Sequence, residues 1–148
     1  MNALFQLLSE QEIPALLAMM HTFYAQQHMR FDEAVAADVL RQLLDDPKQG
    51  QAYLVFRGSE PAGYFVLTFC FSLEFHGCFG LLDELYLHES HRGQKIGKAV
   101  VAFAEELCKK AGVHALRLEV GRDNQPAQVL YRAAGLNIEE RFLMTKWL

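Results

Sequence analysis

Arg92-Gly93-Gln94-Lys95-Ile96-Gly97 stands between a short apolar strand pattern, Leu81 to Leu87, and a helical pattern that runs from about Lys98 to Ala111. The first N–H groups of a helix have no internal acceptor, and the macrodipole adds partial positive charge there, so a turn of this kind holds phosphate well. Arg92, Lys95 and Lys98 add formal charge. The stretch reads as a pyrophosphate cradle. Its spacing excludes two common nucleotide loops. A G-x-x-x-x-G-K-[ST] loop needs one residue more than Gly93 to Gly97 supplies, and a hydroxyl where Ala99 stands. The dinucleotide fingerprint G-x-G-x-x-G is absent as well.

Outward from the turn, the chain alternates helical and extended periodicities. Leu4 to Leu8 reads as a strand, and Ser9 with Glu12 forms a capping-box signature for a helix carrying Ile13, Leu16, Leu17, Met20 and Tyr24. Pro14 lies slightly deep for a first-turn proline, which predicts an irregular start or a bend. A second helix follows Asp32, shows Val35, Val39, Leu40, Leu43 and Leu44 on one face, and stops before Pro47. Ala52 to Phe56, a turn at Arg57-Gly58-Ser59-Glu60, and Ala62 to Ser72 predict a hairpin that Cys78 to Leu87 continues. After the glycine turn come a third helix ended by Gly112, a strand at Ala115 to Val120, and a fourth helix from Asn124 or Gln125 to Gly135. Asn137 to Leu148 is expected to add one or two final strands. The order βααβββαβαβ(β) describes one compact α/β or α+β unit over residues 1–148, without repeat or linker.

Composition narrows the class. The chain has 148 residues, 51% of them hydrophobic, enough for one domain with a real core. A net charge of −4 offers no electrostatic footprint for a general nucleic-acid binder, and leans toward a cationic partner. Cys70, Cys78 and Cys108 lie in apolar settings without metal or redox spacing, so reduced, buried thiols are expected, and no metal. The longest apolar run, Tyr64 to Phe71, is too short to span a bilayer. A soluble, cytoplasmic protein is the expectation.

The turn resembles the R-x-x-G-x-G/A motif of the GNAT N-acetyltransferase superfamily, with Arg92 and Gly97 matching and Lys95 in place of the first glycine. Asn124-Gln125-Pro126-Ala127-Gln128-Val129-Leu130-Tyr131-Arg132-Ala133-Ala134-Gly135-Leu136 is similar to the family's N-x-x-A-x-x-x-Y-x-x-x-G-F segment, with Leu136 for the aromatic. The resemblance covers nearly the whole chain. It implies the acyl-CoA N-acyltransferase fold, a mixed, mostly antiparallel sheet flanked by about four helices. It also implies acetyl-CoA as co-substrate, gripped by Arg92, Gly93, Gln94, Lys95, Ile96, Gly97 and Lys98 at its diphosphate. The backbone of Leu85, Tyr86 and Leu87 and the residues Asn124, Ala127 and Tyr131 would meet its pantetheine and thioester end.

Acetyl transfer from a thioester requires a neutral amine. An alkylammonium has a pKa near ~10.4, so exposing its lone pair at pH 7 costs roughly 4 to 5 kcal/mol, and a base should stand close. Asp83 and Glu84 precede the cradle where the family places a carboxylate; alternation of side chains predicts that only one faces the cleft, and the sequence leaves open which. By resemblance to polyamine acetyltransferases, Asp83 aligns with the base-like carboxylate and Glu84 with its neighbour. Tyr131 matches the tyrosine whose O–H helps expel the thiolate. The strand before the cradle is implied to splay from its neighbour at a bulge, freeing amides for pantetheine. Phe23, Tyr24, His28, Arg30 and Phe31, with Glu74 and His76 opposite, are weaker candidates for the acceptor pocket, and His88 and His91 flank the cradle. The reading is an N-acetyltransferase acting on a small cationic amine; a non-catalytic acyl-CoA sensor of the same fold, or a transferase for a protein lysine or N-terminus, are its rivals. The family's habit of pairing through C-terminal strands, with Phe142, Met144 and Trp147 apolar at that end, makes a homodimer the expected assembly.

Overall fold

The computed structural model describes residues 2–148. Strand β1 (Ala3–Leu7) leads into a short 3₁₀ turn, Glu10–Glu12, and helices α1 (Ile13–Gln26) and α2 (Glu33–Asp45). Strands β2 (Gly50–Arg57), β3 (Glu60–Ser72) and β4 (Gly77–Leu87) follow. Helix α3 (Ile96–Lys110), strand β5 (Leu116–Leu118) and helix α4 (Gln125–Ala133) complete the order. The five strands form one sheet in sequence order; the first three pairings are antiparallel and β4 runs parallel to β5.

Local chemistry accounts for the boundaries. The Ser9 and Glu12 capping box is present, with the Ser9 N–H donating to the Glu12 carboxylate at 2.9 Å. The 3₁₀ turn before Ile13 places Pro14 in the first turn of α1, so the irregular start expected of that proline precedes the helix and leaves it unbroken. Asp32 caps α2 by accepting from the Val35 N–H at 3.1 Å.

Both faces of the sheet are covered. One face of β2 and β3, with Ala52, Leu54, Tyr64 and Val66, packs on Leu16, Met20 and Leu40 from α1 and α2. The other, with Tyr53, Val55 and Phe65, packs on Ile96, Val100 and Val101 from α3. Burial on both sides explains why β3 reads as a continuous apolar run instead of an alternating one. Phe65 stacks on Tyr53 at 5.0 Å and meets Phe5 edge-on at 5.8 Å, contacts of the kind that contribute about 1 kcal/mol each beyond burial.

The end of the chain departs from expectation. Residues 137–148 contain no strand, and β5 is confined to Leu116–Leu118 within the expected Ala115 to Val120. Side chains hold the segment instead of a ladder: Arg117 donates to Glu139 at 3.0 Å, Arg141 to Glu74 at 2.9 and 3.0 Å, and Arg122 lies 4.7 Å over the Phe142 ring. A three-residue β5 leaves too short an edge to organise two further strands. Phe142, Met144 and Trp147 remain exposed. The cysteines are free, but Cys78 is exposed and Cys70 only half-buried, so burial holds for Cys108 alone. Among the described residues, no helix is long and apolar enough to cross a membrane.

Gly63 pairs with Leu87, and a methyl group there would fall against the Tyr86 carbonyl oxygen, which cannot move without opening the ladder. Gly63→Ala is expected to lower the unfolding free energy by about 2–3 kcal/mol in denaturant titrations, a cost typical of overpacking.

Candidate active site

Strand β4 is paired with β3 over its whole length, yet the register slips once: Val66 faces Glu84 and Leu67 faces Leu82, so Asp83 has no partner. This is a β-bulge, with two residues of one strand opposite one of the other. On the far side, β4 pairs with β5 only through Gly80, Leu81 and Leu82. Asp83 to Leu87 therefore present a strand edge without a β5 partner. Leu85, Tyr86 and Leu87, for which the resemblance implies a splayed edge, lie on this stretch.

The bulge also sets the side of the sheet to which Glu84 turns. Leu82 belongs to the core on the α3 side, whereas Tyr86 belongs to that on the α1 side, although the two would share a face in an unbroken strand. Glu84, displaced to the α1 side, accepts from the Tyr24 hydroxyl at 2.7 Å and the Tyr64 hydroxyl at 2.7 Å. Burial raises the Glu84 carboxyl above its ordinary range, while its two phenol bonds pull the other way. Asp83 makes no side-chain hydrogen bond among the described residues, and partial burial raises its carboxyl too. Its charge pushes up both Glu84 and Tyr24, so the two carboxylates share one environment.

The turn after β4 is open to solvent, with Arg92, Gly93, Gln94 and Lys95 exposed. Gly93 has φ +73° and Lys95 φ +65°, and α3 begins at Ile96. The Ala99 N–H donates to the Lys95 carbonyl at 3.2 Å, leaving the amides of Ile96, Gly97 and Lys98 ahead of that bond as the unpaired donors of a helix start. Arg92 reaches back, donating to the Leu87 carbonyl at 3.0 Å and to the Gln26 side chain at 3.1 Å. Gly97 is buried, and a methyl there would come within 3.0 Å of Leu130 on α4. Packing of α4 on α3 therefore asks for a small residue at that place. The Lys98 side chain points to solvent.

Helix α4 is pinned at its start. The Asn124 side chain accepts from the Ala127 N–H at 3.3 Å, and the buried Gln128 donates to the Gly121 and Arg122 carbonyls at 2.9 Å each. Tyr131 follows on the same helix and packs half-buried against the core under α3. Burial pushes its phenol up, so at neutral pH it keeps its proton.

Other candidates separate. Phe23, Tyr24 and Phe31 line the α1 side: the Tyr24 ring lies 5.9 Å from Phe23 and 5.4 Å from Phe31. Arg30 and His28 are exposed at the helix junction. Glu74 and His76 do not form an opposite wall. They sit at the tip of the β3–β4 hairpin, roughly 20 Å of strand from the bulge, and Glu74 is paired with Arg141. The Tyr86 hydroxyl is 3.2 Å from His88 Nδ1, and His91 lies 3.6 Å from Glu60. The residues that sequence reasoning missed are Tyr64, Gln26 and Gln128. Tyr64 sat inside an apolar run that offered no sign of a polar task; a glutamine one turn from Asn124 on the inner face was the visible clue for Gln128.

Comparison with known proteins agrees with this fold. The model of the acetyltransferase (GNAT) family matches residues 6–136, and the chain belongs to that family. It is 32% identical over 95 residues to an aminoalkylphosphonate N-acetyltransferase of Salmonella typhimurium, a match covering 64% of this chain and 61% of that protein. It is 36% identical over 55 residues to a protein of Bacillus subtilis described as a putative ribosomal-protein-alanine N-acetyltransferase, covering 37% of this chain and 36% of the relative. These matches span less than two thirds of either relative. A solved integron cassette protein from the Cole Harbour salt marsh metagenome superposes with a TM-score of 0.85 at 28% identity, covering 97% of this chain and 90% of that one.

Two substitutions report on the site's strain. Asp83 has its carboxyl raised in the folded state, so its ionisation opposes folding at pH values above its folded pKa and has no effect below the unfolded value of about 4. Asp83→Asn should therefore raise the melting temperature at pH 7, with the gain vanishing as pH falls toward about 4. Lys95→Gly removes a left-handed non-glycine residue and should stabilise by up to about 1 kcal/mol in chemical denaturation, the relief exceeding the added chain entropy.

Proposed function

We propose that the protein is an acetyl-CoA-dependent N-acetyltransferase that moves an acetyl group to a primary amine of a small molecule, by direct attack within a ternary complex. The observation that carries this reading is the bulge at Asp83: it sets two carboxylates beside an unpaired strand edge that ends in an open, cationic helix start. Acetyltransferases of this family use acetyl-CoA. Its diphosphate would lie on the amides of Gly93 to Lys98, with Arg92 swinging from Gln26. Asn124 and Ala127 at the start of α4, and the edge at Leu85 to Leu87, would hold the pantetheine arm.

In this scheme a carboxylate of the Asp83 and Glu84 pair takes the proton of the bound ammonium, directly or through water. The freed lone pair attacks the thioester carbonyl carbon, the attacking nitrogen gives up its second proton to water as the C–S bond breaks, and Tyr131, kept protonated by burial, gives its proton to the departing thiolate. The carboxylic acid and the phenolate then re-equilibrate through solvent, so one proton is released per turnover. No cysteine nucleophile is needed.

We assign one catalytic domain to the chain and a cytoplasmic setting, in keeping with three free cysteines. We also assign a homodimer that covers Phe142, Met144 and Trp147. The name of the Bacillus relative favours a second reading, in which the acceptor is a protein N-terminus. The experiment is an acceptor screen reading coenzyme A release, with calorimetry for acetyl-CoA. Tyr131→Phe should cut turnover by about 100-fold with acetyl-CoA affinity unchanged; an unaltered rate removes Tyr131 from the chemistry. Acetyl-CoA binding without turnover on any small amine or peptide N-terminus returns the chain to the sensor reading.

A further inference from the structure

Glu84 is restrained on both oxygens. Oε2 accepts from Tyr24 on α1 and Oε1 from Tyr64 on β3, each at 2.7 Å. The phenols are fixed in turn. Tyr64 is wholly buried, its ring 6.2 Å from Phe23 and 6.0 Å from Tyr86. Tyr24 lies edge-on to Phe31. Burial, then Glu84 itself, drives both phenols far above their ordinary range, so both remain donors.

No cation among the described residues balances this carboxylate. Among the described residues neither Asp83 nor Glu84 is in an ion pair, and the titratable groups facing Glu84 are Tyr24 from α1, Tyr64 from β3 and Asp83 from β4 itself. Buried charges are ordinarily paired, and an unpaired one costs stability that an incoming cation would restore. A carboxylate has about four lone-pair sites, of which two are taken here, so Glu84 can still accept from an ammonium. Phe23 and Phe31, which pack against Tyr24, add aromatic surface beside the acid pair, and such surface suits an alkylammonium. Asp83 next to it is exposed and makes no side-chain hydrogen bond among the described residues.

We propose that Tyr24 and Tyr64 are positioning residues that lock Glu84 as the anion recognising the acceptor in its alkylammonium form, and that Asp83 beside it is the carboxylate that takes the proton. The division of labour rests on the acetyl-transfer reading: R–NH₃⁺ docks on Glu84, loses its proton to Asp83, and the neutral amine attacks. Tyr24 and Tyr64 touch neither substrate nor thioester; they act through Glu84.

The test has a binding arm and a kinetic arm. In calorimetry on the protein saturated with coenzyme A, 1,4-butanediamine should bind and n-butanol should not. Tyr24→Phe and Tyr64→Phe should each weaken the diamine by roughly tenfold, the worth of a hydrogen bond to a charged group. In turnover the same variants should raise the amine KM by about that factor and change kcat less than about twofold. The pH below which amine binding is lost should move upward, because Glu84 protonates more readily without its donors. Asp83→Asn should lower kcat by about 100-fold at unchanged amine affinity and abolish the acidic limb of the rate profile. Tyr24→Phe that leaves KM untouched, or lowers kcat alone, overturns the clamp. An acidic limb that survives Asp83→Asn and is lost in Glu84→Gln reverses the roles and also overturns it. Coenzyme A binding without diamine binding sinks this inference while leaving the cofactor reading in place; no coenzyme A binding sinks both.

Discussion

Asp83 has no partner on β3, and because the side chains of a strand alternate, that insertion exchanges the faces of every residue beyond it. With regular pairing, Glu84 would turn toward the apolar layer beneath α3, where Val100 and Phe65 are fully buried and offer it no donor. With the bulge, it turns toward two phenols. The same irregularity comes just after the last residue of β4 that pairs with β5, so the strand edge opens where the acids sit. Acid pair, open edge and helix start are thus consequences of one local change in register.

Burying a carboxylate opposes folding, and the surroundings show where the offset lies. Tyr24 and Tyr64 supply charge-assisted hydrogen bonds of the stronger kind. The rings that hold them, Phe23, Phe31 and Tyr86, belong to the same layer that binds α1 to the sheet. Packing of α1 and the geometry at the acid pair are therefore not independent, and a cavity made under α1 would loosen Glu84 as well as the core. On the opposite face, Phe5, Tyr53, Phe65 and Phe103 form an aromatic cluster whose one hydroxyl, on Tyr53, donates to the side chain of Gln51 at 3.0 Å. The fold concentrates its tolerance for strain on one side of the sheet and its apolar packing on the other.

The parts legible in sequence were those set by neighbours along the chain. The Ser9 cap, the amphipathic stripes of α2 and α3, the β2–β3 hairpin and the glycine turn all follow from periodicity and local hydrogen bonding. The bulge was accessible only through family resemblance, since register belongs to a pair of strands and neither carries it alone. Glu84 and its donors lie 20 and 60 positions apart, beyond any local pattern. The final strands expected at Asn137 to Leu148 failed for a related reason. Extended propensity needs an edge to pair with; β5 is three residues long, and the arginines at 117, 122 and 141 hold that segment through their side chains.

Lys95 shows what the glycine turn constrains. Its backbone lies in the left-handed region, at φ +65°, where the family motif has a residue without a side chain. The requirement is thus on a torsion angle, which glycine meets with ease and lysine meets at a cost. A search template spelled in amino-acid letters would discard this chain at that column, whereas one spelled in dihedrals would retain it.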